Sequence, residues 1–439
     1  MDQLQIEFTS AYRSYKMIVF KFGGASVKDA DAVRNVCNII RSHNSDQLVV
    51  VVSAMGKTTN ALERVVHARL SSSDIPVARQ YLQEVKAFHQ NIADALFADK
   101  SNPVFDRMNN VFVEVDWCLD DDVSKGYDFI YDQVVSSGEL LSTIIIHEYL
   151  QSQGLHFAFA DARDLIRTDD HYREGRVQWE ETLGKTSSQL KGMFASGHAG
   201  VITQGFIGCT SENYTTTLGR EGSDYTASIL AYCLDAKAVY IWKDVPGVLN
   251  ADPKYFPDAQ KLESMSYYDA IELAYFGASV IHPKTIKPLE NKGIPLYVKS
   301  FVDPKLSGTV IGKDFQTKPL MPSFIFKDNQ MLVSISAKDF SFIAEDHLSA
   351  IFSLFAQADV KINLMQNSAI SFSVCIDNDS RKVPELLETL KTRFKILYNE
   401  GLQLYTVRHY YPSTIETLTH GKEVLLEQRS RQTAQLVLR

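Results

Sequence analysis

Residues 17–30 read MIVFKFGGASVKDA. A β-branched and aromatic run carries Lys21 near its end, Gly23 and Gly24 follow, and helical spacing takes over from Asp29. A strand that presents a cation beside backbone without side chains suits the close approach of an anion. The N–H groups of such a turn, with a helix dipole behind them, favour negative charge. Taken alone, a Gly-Gly pair after a strand is more often just a turn. The surrounding sequence has to decide.

Working outward, DADAVRNVCNIIRSH (29–43) places Val33, Val36, Ile39 and Ile40 on one helical face. QLVVVVSAM (47–55) is a continuous apolar run, as expected of a strand covered on both sides. Residues 75–125 read as a long helical region, with Leu82, Val85, Phe88, Ile92 and Leu96 at three- and four-residue steps. Further strands are expected at 156–162, 200–208 and 238–245, each flanked by helical sequence. This alternation predicts an α/β fold with a mostly parallel sheet between helices. Around 303–325 the texture turns rich in Pro, Gly, Lys and Ser, and 313–327 reads as a linker. Beyond it, a strand at 331–337, a helix at 346–360, strands at 362–368 and 369–377, a helix at 382–394 and a strand near 402–407 form one βαββαβ unit. Residues 409–439 begin a second such unit, with a helix near 414–419 and strands at 423–430 and 434–439, and read as truncated.

The 439 residues predict about three domains, and 45% hydrophobic against 22% charged residues is enough for sizeable cores. A net charge of −8 argues against non-specific nucleic-acid or anionic-membrane binding. Cys37, Cys118, Cys209, Cys233 and Cys375 are scattered without a C-x-x-C pair, so neither zinc nor disulfides are expected, and a reducing cytoplasmic setting fits. No membrane span is expected. Residues 1–16 read as an extension ahead of the strand at Met17, without the apolar stretch of a signal peptide.

Two nucleotide signatures fail. G-x-G-x-x-G is absent after the first strand, and AMGKTTN (54–60) has Val51 where a P-loop needs glycine. Four clusters remain: the Lys21 turn with Ser26; SSGELLS (136–142), with Glu139 in a first helical turn; TTTLGREGSDYTASILAYCLDA (215–236), in which Ser223 or Asp224 is expected to cap a helix just after Arg220; and YIWKDVPGVLNADPK (240–254), a strand ending in Lys243-Asp244.

Together these clusters resemble the aspartate kinases (aspartokinases) of the amino-acid kinase superfamily. The matching segments are KFGGASV, VVSAMGKTTN, SSGELLS, VITQGFIG, TTTLGREGSDYTA, WKDVPGV, ADPK and FGASVIHP, in the family's order over residues 17–312. The tail resembles the family's ACT regulatory domains. The resemblance implies a three-layer amino-acid-kinase sandwich (17–312), one ACT-like domain (328–408) and a partial second one (409–439). It implies transfer of the ATP γ-phosphate to the β-carboxylate of L-aspartate, the first step toward lysine, threonine and methionine, with Mg²⁺ carried on the ATP phosphates. Lys21 and Asp224 are then catalytic, with Asp224 orienting Lys21 and reaching Mg²⁺ through water; Gly23, Gly24, Ser26 and Ser53 meet phosphate. Glu139 receives the substrate ammonium, Arg220 clamps its α-carboxylate, and Thr59 and Ser223 orient it. Lys243, Asp244, Leu249, Asp252, Lys254, Ser279 and Lys284 fall on the nucleotide side.

The chain departs from the family at Ser279, where many members carry a phosphate-side lysine, and at Leu249, where a tyrosine is common. Lys243 or Lys284 is expected to replace the missing charge. Asn363 and Ala369 stand where acids often occur in lysine-sensing relatives, which weighs against lysine as effector and leaves threonine, or a purely structural dimerising tail. A homodimer through the ACT region is expected. Within this length no dinucleotide-binding domain follows, so a fusion to homoserine dehydrogenase is not expected. The alternatives are another carboxylate kinase, acting on glutamate or N-acetylglutamate, and a non-catalytic amino-acid sensor. His89 and His147 read as packed structural histidines, His282 as a turn former, and Trp117 and Trp179 as core anchors; Arg429, Arg431 and Arg439 are too sparse for nucleic acid.

Overall fold

The computed structural model describes residues 17–43, 47–70, 74–120, 123–278, 281–339 and 341–439. The extension at 1–16 and Ser279 therefore lie outside the described residues. The chain forms two compact units, one of residues up to Gly247 with Ile281–Phe315, the other of Val248–Val280 with Gln316–Arg439.

In the first unit the strands run in the order Phe157–Ala160, Gly200–Gln204, Leu48–Val52, Ile18–Phe22, Ala238–Lys243 and Leu296–Ser300, all parallel, with Thr309–Gly312 antiparallel beyond. The continuous apolar runs are buried along their whole length, as a sheet covered on both faces requires. Side-chain alternation then assigns the faces. Ile18, Phe20 and Phe22 enter the core formed with helices Ala30–Arg41, Thr58–Leu70 and Ser137–Ser152. Val19 and Lys21 point the other way, toward the side that carries Asp224 in helix Gly222–Leu234. Asp29 caps the first helix, its carboxylate accepting from the Ala32 N–H at 2.8 Å.

Several expectations need adjusting. The long helical region is two helices, Ile75–Leu96 and Pro103–Asp120. The run 200–208 breaks after Gln204 and resumes as Ile207–Cys209, paired in a separate small sheet with Thr215–Thr217; Phe206 at the break has φ 71°. Trp117 is no core anchor: it is 68% exposed, because Val111, Val115 and Leu119 define the inward face of its helix and position 117 falls on the opposite side. Trp179 is no core anchor either: it is exposed and packs edge-on against Tyr232.

The second unit is built on a six-stranded antiparallel sheet in the order Ile362–Asn367, Ser371–Asp377, Ser323–Ala337, Phe394–Arg408, Thr433–Leu438, Val424–Arg429. Two long central strands span both halves. Met331–Ala337 pairs within the first βαββαβ unit under helices Glu345–Gln357 and Val383–Arg393. Ser323–Lys327 pairs with Leu404–Arg408 in the second half. Residues expected as the end of a linker are thus a strand, and the second half is filled from upstream rather than left short. Its helix Pro412–Thr419 packs Ile415 against Tyr405, Val407 and Leu436. Leu249, Asp252 and Lys254 belong to this unit: Leu249 bridges to Lys261, and the Asp252 carboxylate accepts from the Lys254 N–H at 2.9 Å. Arg408, almost fully buried, pairs with Asp269 at 2.7 Å and Glu272 at 3.0 Å, tying helix Tyr267–Phe276 to the sheet. Asn363 accepts from Lys327 at 2.8 Å and donates to Gln330 and Asp377, so its side chain is committed to the sheet.

Candidate active site

The first unit carries a cleft of about 770 Å³ lined by residues from all four predicted clusters and from the Ser53–Thr59 turn. Lys21, Gly24, Ser53, Thr59, Glu139, Arg220, Ser223, Asp224 and Lys243 all border it. They come together because the parallel strands Ile18–Phe22, Leu48–Val52 and Ala238–Lys243 lie side by side and end at the same edge. Open α/β sheets place ligands outside that carboxyl edge.

At the floor, Lys21 Nζ lies 2.6 Å from Asp224 Oδ1, and Lys243 Nζ 3.8 Å from Oδ2 of the same carboxylate. Burial pushes Asp224 up, but Lys21 and then Lys243 outweigh it and hold its carboxyl below the usual range. The expected cap is not formed. Helix Gly222–Leu234 is entered from Glu221 in left-handed geometry (φ 54°), which moves Ser223 and Asp224 into the first turn and turns the carboxylate toward Lys21. Gly24 crosses the Ala54–Gly56 turn so closely that a Cβ there would stand 2.9 Å from the carbonyl oxygens of both. Ser26 is not brought into the cleft as a donor. The short turn Gly24–Val27 aims it inward, where its hydroxyl donates to the Trp242 carbonyl at 3.1 Å.

On the opposite wall, Glu139 is 3% exposed; its Oε1 accepts from the Ala54 N–H at 3.2 Å, and Oε2 has no hydrogen-bond partner among the described residues. Burial pushes its carboxyl up to about 8, against the pull of the Ala54 N–H, its own N–H and Lys21. A buried carboxyl that lines the cleft with one oxygen unpartnered suits an incoming cation. Beneath the Thr58–Leu70 helix start, His89 is fully buried against Thr58 and the Val85 carbonyl, and burial lowers it to about 4, so it is a neutral packing group as expected. Arg220 is exposed to the cleft and makes no hydrogen bond or ion pair among the described residues.

Likenesses in sequence and in fold bear on this arrangement. The sequence pattern described as the amino acid kinase family matches residues 16–300, more than half of the chain. The chain is 30% identical over 397 residues to the lysine-sensitive aspartokinase 3 of Escherichia coli, covering 89% of this chain and 86% of that protein. The chain belongs to the aspartokinases of the amino acid kinase family. It is also 28% identical to the bifunctional aspartokinase/homoserine dehydrogenase 1 of Arabidopsis thaliana, of which it spans 42%. Among solved structures, the crystal structure of E. coli aspartokinase III in complex with aspartate and ADP matches with a TM-score of 0.81 at 26% identity, covering 96% of each chain. The Clostridium acetobutylicum aspartate kinase shares the fold with a TM-score of 0.76 at 21% identity.

In this aspartokinase, the cleft also contains residues that sequence reading passed over. Asp128, Tyr131, Arg173, Glu174, Phe206 and Glu221 line it. Glu221 carried a signal within G-R-E-G: its carboxylate accepts from the His282 N–H at 2.9 Å, joining the Arg220 turn to the start of helix Pro283–Lys292. His282 itself caps that helix, its ring accepting from the Lys284 N–H at 3.1 Å. Lys284 Nζ lies 3.9 Å from Glu174, and among the described residues the ion pairs of Asp224 are with Lys21 and Lys243. Asp244 does not border the cleft.

Proposed function

We propose that the cleft binds L-aspartate and ATP and transfers the γ-phosphoryl group to the aspartate β-carboxylate. A carboxylate oxygen attacks phosphorus, the bond to the β–γ bridging oxygen breaks, and ADP leaves with that electron pair. The attacking carboxylate is ionised at neutral pH, so no general base is required. The obstacle is bringing two anions together, which fixed cations and dipoles overcome. On this reading Lys21, with the backbone of Gly23 and Gly24 and the Ser53 side chain, meets the transferring phosphoryl group, and Asp224 holds Lys21 in place. Lys243 supplies the second phosphate-side cation. Glu139 receives the substrate ammonium, Arg220 the α-carboxylate, and Thr59 and Ser223 complete the seat.

The observation that carries the reading is the pair of lysines drawn to one buried carboxylate at the sheet edge, 2.6 and 3.8 Å from Asp224. Among the described residues no three acidic or histidine groups converge as metal ligands. Asp224, already paired with Lys21, fits a Mg²⁺ that arrives on the ATP phosphates and is met through water. When bound, that ion neutralises phosphate charge. Asp244, Leu249, Asp252, Lys254 and Ser279 remain proposed nucleotide-side residues on the family resemblance, and the charge missing at Ser279 is assigned to Lys243 rather than to Lys284, whose Nζ lies 3.9 Å from Glu174. The test is trapping of the acyl phosphate with hydroxylamine: hydroxamate forms with aspartate and ATP, and Lys21→Ala lowers its rate by about 10³-fold or more. Product from glutamate at the aspartate rate would count against the substrate assignment.

We also propose a cytoplasmic enzyme, since all five cysteines are unpaired thiols, acting at the head of lysine, threonine and methionine synthesis. No helix among the described residues is long and apolar enough to cross a membrane. A homodimer through the second unit is supported by the end strands Ile362–Asn367 and Val424–Arg429, each paired on one side only among the described residues. An amino-acid effector, lysine or threonine, would bind in that unit. The committed side chain of Asn363 weighs against lysine, and assays with each amino acid decide.

A further inference from the structure

Helix Tyr127–Val135 carries a carboxylate where its packing calls for an apolar residue. Asp132 is 0% exposed, among buried Phe129, Ile130, Tyr131, Val134 and Val135. Its oxygens take three donors from outside the helix. Oδ2 accepts from the backbone N–H groups of Arg173 and Thr217, both at 2.9 Å, and Oδ1 accepts from the Thr217 hydroxyl at 2.7 Å. Burial still pushes the carboxyl up to about 6 against those donors. A buried charge at such a position is a weak device for stability alone, since well-packed apolar residues often do as well.

What Asp132 joins is more telling. Strand Thr215–Thr217 pairs with Ile207–Cys209 on one edge. Its other edge is closed by side chains of the helix: Gln133 donates to the Thr215 carbonyl at 2.8 Å and accepts from the Thr215 N–H at 3.2 Å, and Asp132 takes both donors of Thr217. The same carboxylate pins Arg173, whose φ of 67° is held by that bond and by the neighbouring Gly175 N–H donating to the Thr217 carbonyl at 2.8 Å. The pinned loop then lies over Gly219, with Glu174 Cγ 3.2 Å from where a Cβ would stand. Arg220 follows at once. With no hydrogen bond or ion pair of its own among the described residues, its guanidinium is aimed only by the backbone that carries it.

We propose that Asp132 is a positioning residue for the acceptor amino acid, locking the Thr217 strand end to the Arg173–Glu174 loop so that Arg220 is presented to the α-carboxylate. The inference rests on the reading of Arg220 as the α-carboxylate clamp. Asparagine at 132 keeps the shape but replaces one acceptor oxygen with a donor, so at least one of the three donors loses its partner. Thr217→Val removes a single donor and leaves the backbone bond.

The experiment is steady-state kinetics on the full chain at pH 8, with melting temperature measured in parallel. Asp132→Asn is expected to raise the KM for aspartate by about 10-fold or more, with the KM for ATP changed by less than about 2-fold. Thr217→Val is expected to raise the aspartate KM by about 3-fold, and the double variant to match Asp132→Asn alone, because both act through one carboxylate. An unchanged aspartate KM in both single variants, or equal rises for aspartate and ATP, overturns the proposal. If Asp132→Asn fails to fold, Thr217→Val decides on the same criteria. Arg220→Ala is run alongside: an unchanged aspartate KM there refutes the clamp itself, whereas a large rise with silent Asp132 and Thr217 variants refutes only the positioning role.

Discussion

Glu139 offers a prediction in which a proton, rather than a rate, is counted. Its carboxyl is buried, accepts from the Ala54 N–H at 3.2 Å, and is pushed by burial up to about 8. At pH 7 about nine in ten free sites therefore hold Glu139 protonated. Seating a substrate ammonium against it favours the ionised form, as an opposite charge within a few ångströms does. Binding one aspartate at pH 7 should then release close to one proton, about 0.9 if the carboxyl drops well below 6 in the complex. At pH 9, where the free site is already about nine-tenths ionised, the release should fall to about 0.1. Isothermal titration of aspartate in buffers of different ionisation enthalpy measures this number directly. Glu139→Gln should abolish the release and weaken aspartate binding. No proton release from the parent enzyme at pH 7, with Glu139→Gln still weakening binding, would mean that the carboxyl is ionised before substrate arrives; the burial argument would then be wrong.

The same group makes a statement about stability. Because its folded value is raised, the stability linked to Glu139 is present in full below the ordinary glutamate range and is lost as pH rises through about 8. The rise amounts to at most about 5 kcal/mol, and solvent relaxation will return part of it. Glu139→Gln, neutral at every pH, should therefore melt higher than the parent at pH 9 in the absence of substrate. A lower melting temperature there would show that the bare oxygen is better solvated than the geometry indicates.

Other predictions follow from the geometry of each unit. Lys243→Ala should lower kcat by about 10²-fold, because Lys243 reaches Asp224's cluster, while Lys284→Ala should stay within about 2-fold; equal effects in initial-rate assays would reverse that assignment. Gly24→Ala should cost about 10²-fold or more in activity, since its Cβ meets two backbone carbonyl oxygens at 2.9 Å that no side-chain rotation relieves; wild-type turnover would refute the close approach. Arg408→Ala should destabilise the second unit by about 3 kcal/mol, by stranding Asp269 beside Glu272. Burial works to raise Asp269, but His409, Thr317 and Arg408 hold it below the usual range, so the stability from this pairing is present above about pH 4 and lost in stronger acid. Chemical denaturation of the variant and parent at pH 7 and pH 3 should show the gap closing at the lower pH.

What could be read from the chain, and what could not, divides along a physical line. Spacing within one segment was legible: the buried strand that presents Lys21 near its end, the stripe of Leu82 and Val85, the first-turn place of Glu139. Choices between two partners were not. Ser223 and Asp224 look like helix caps because a cap needs only local backbone, but Lys21 from a strand two hundred residues earlier competes for Asp224 and wins. Ser26 beside two glycines looks like a phosphate donor, and the Trp242 carbonyl takes it. Residues 323–327 look like a linker until Leu404–Arg408 arrives to pair with them. Asp132 is the extreme case, since its neighbours in the chain give no hint of a buried acid and all three of its donors lie more than 40 positions away. The misses at Asp224 and Ser26 share one form: a polar group whose nearest local use was displaced by a distant partner. Buried and polar, such a group is costly to leave unmatched, so the distant contact is where constraint concentrates. In the first unit two such groups lie at or behind one cleft: Asp224 on its floor, and Asp132 behind the strand that feeds Arg220. That clustering is the reason to look for function in the residues that local sequence explains least well.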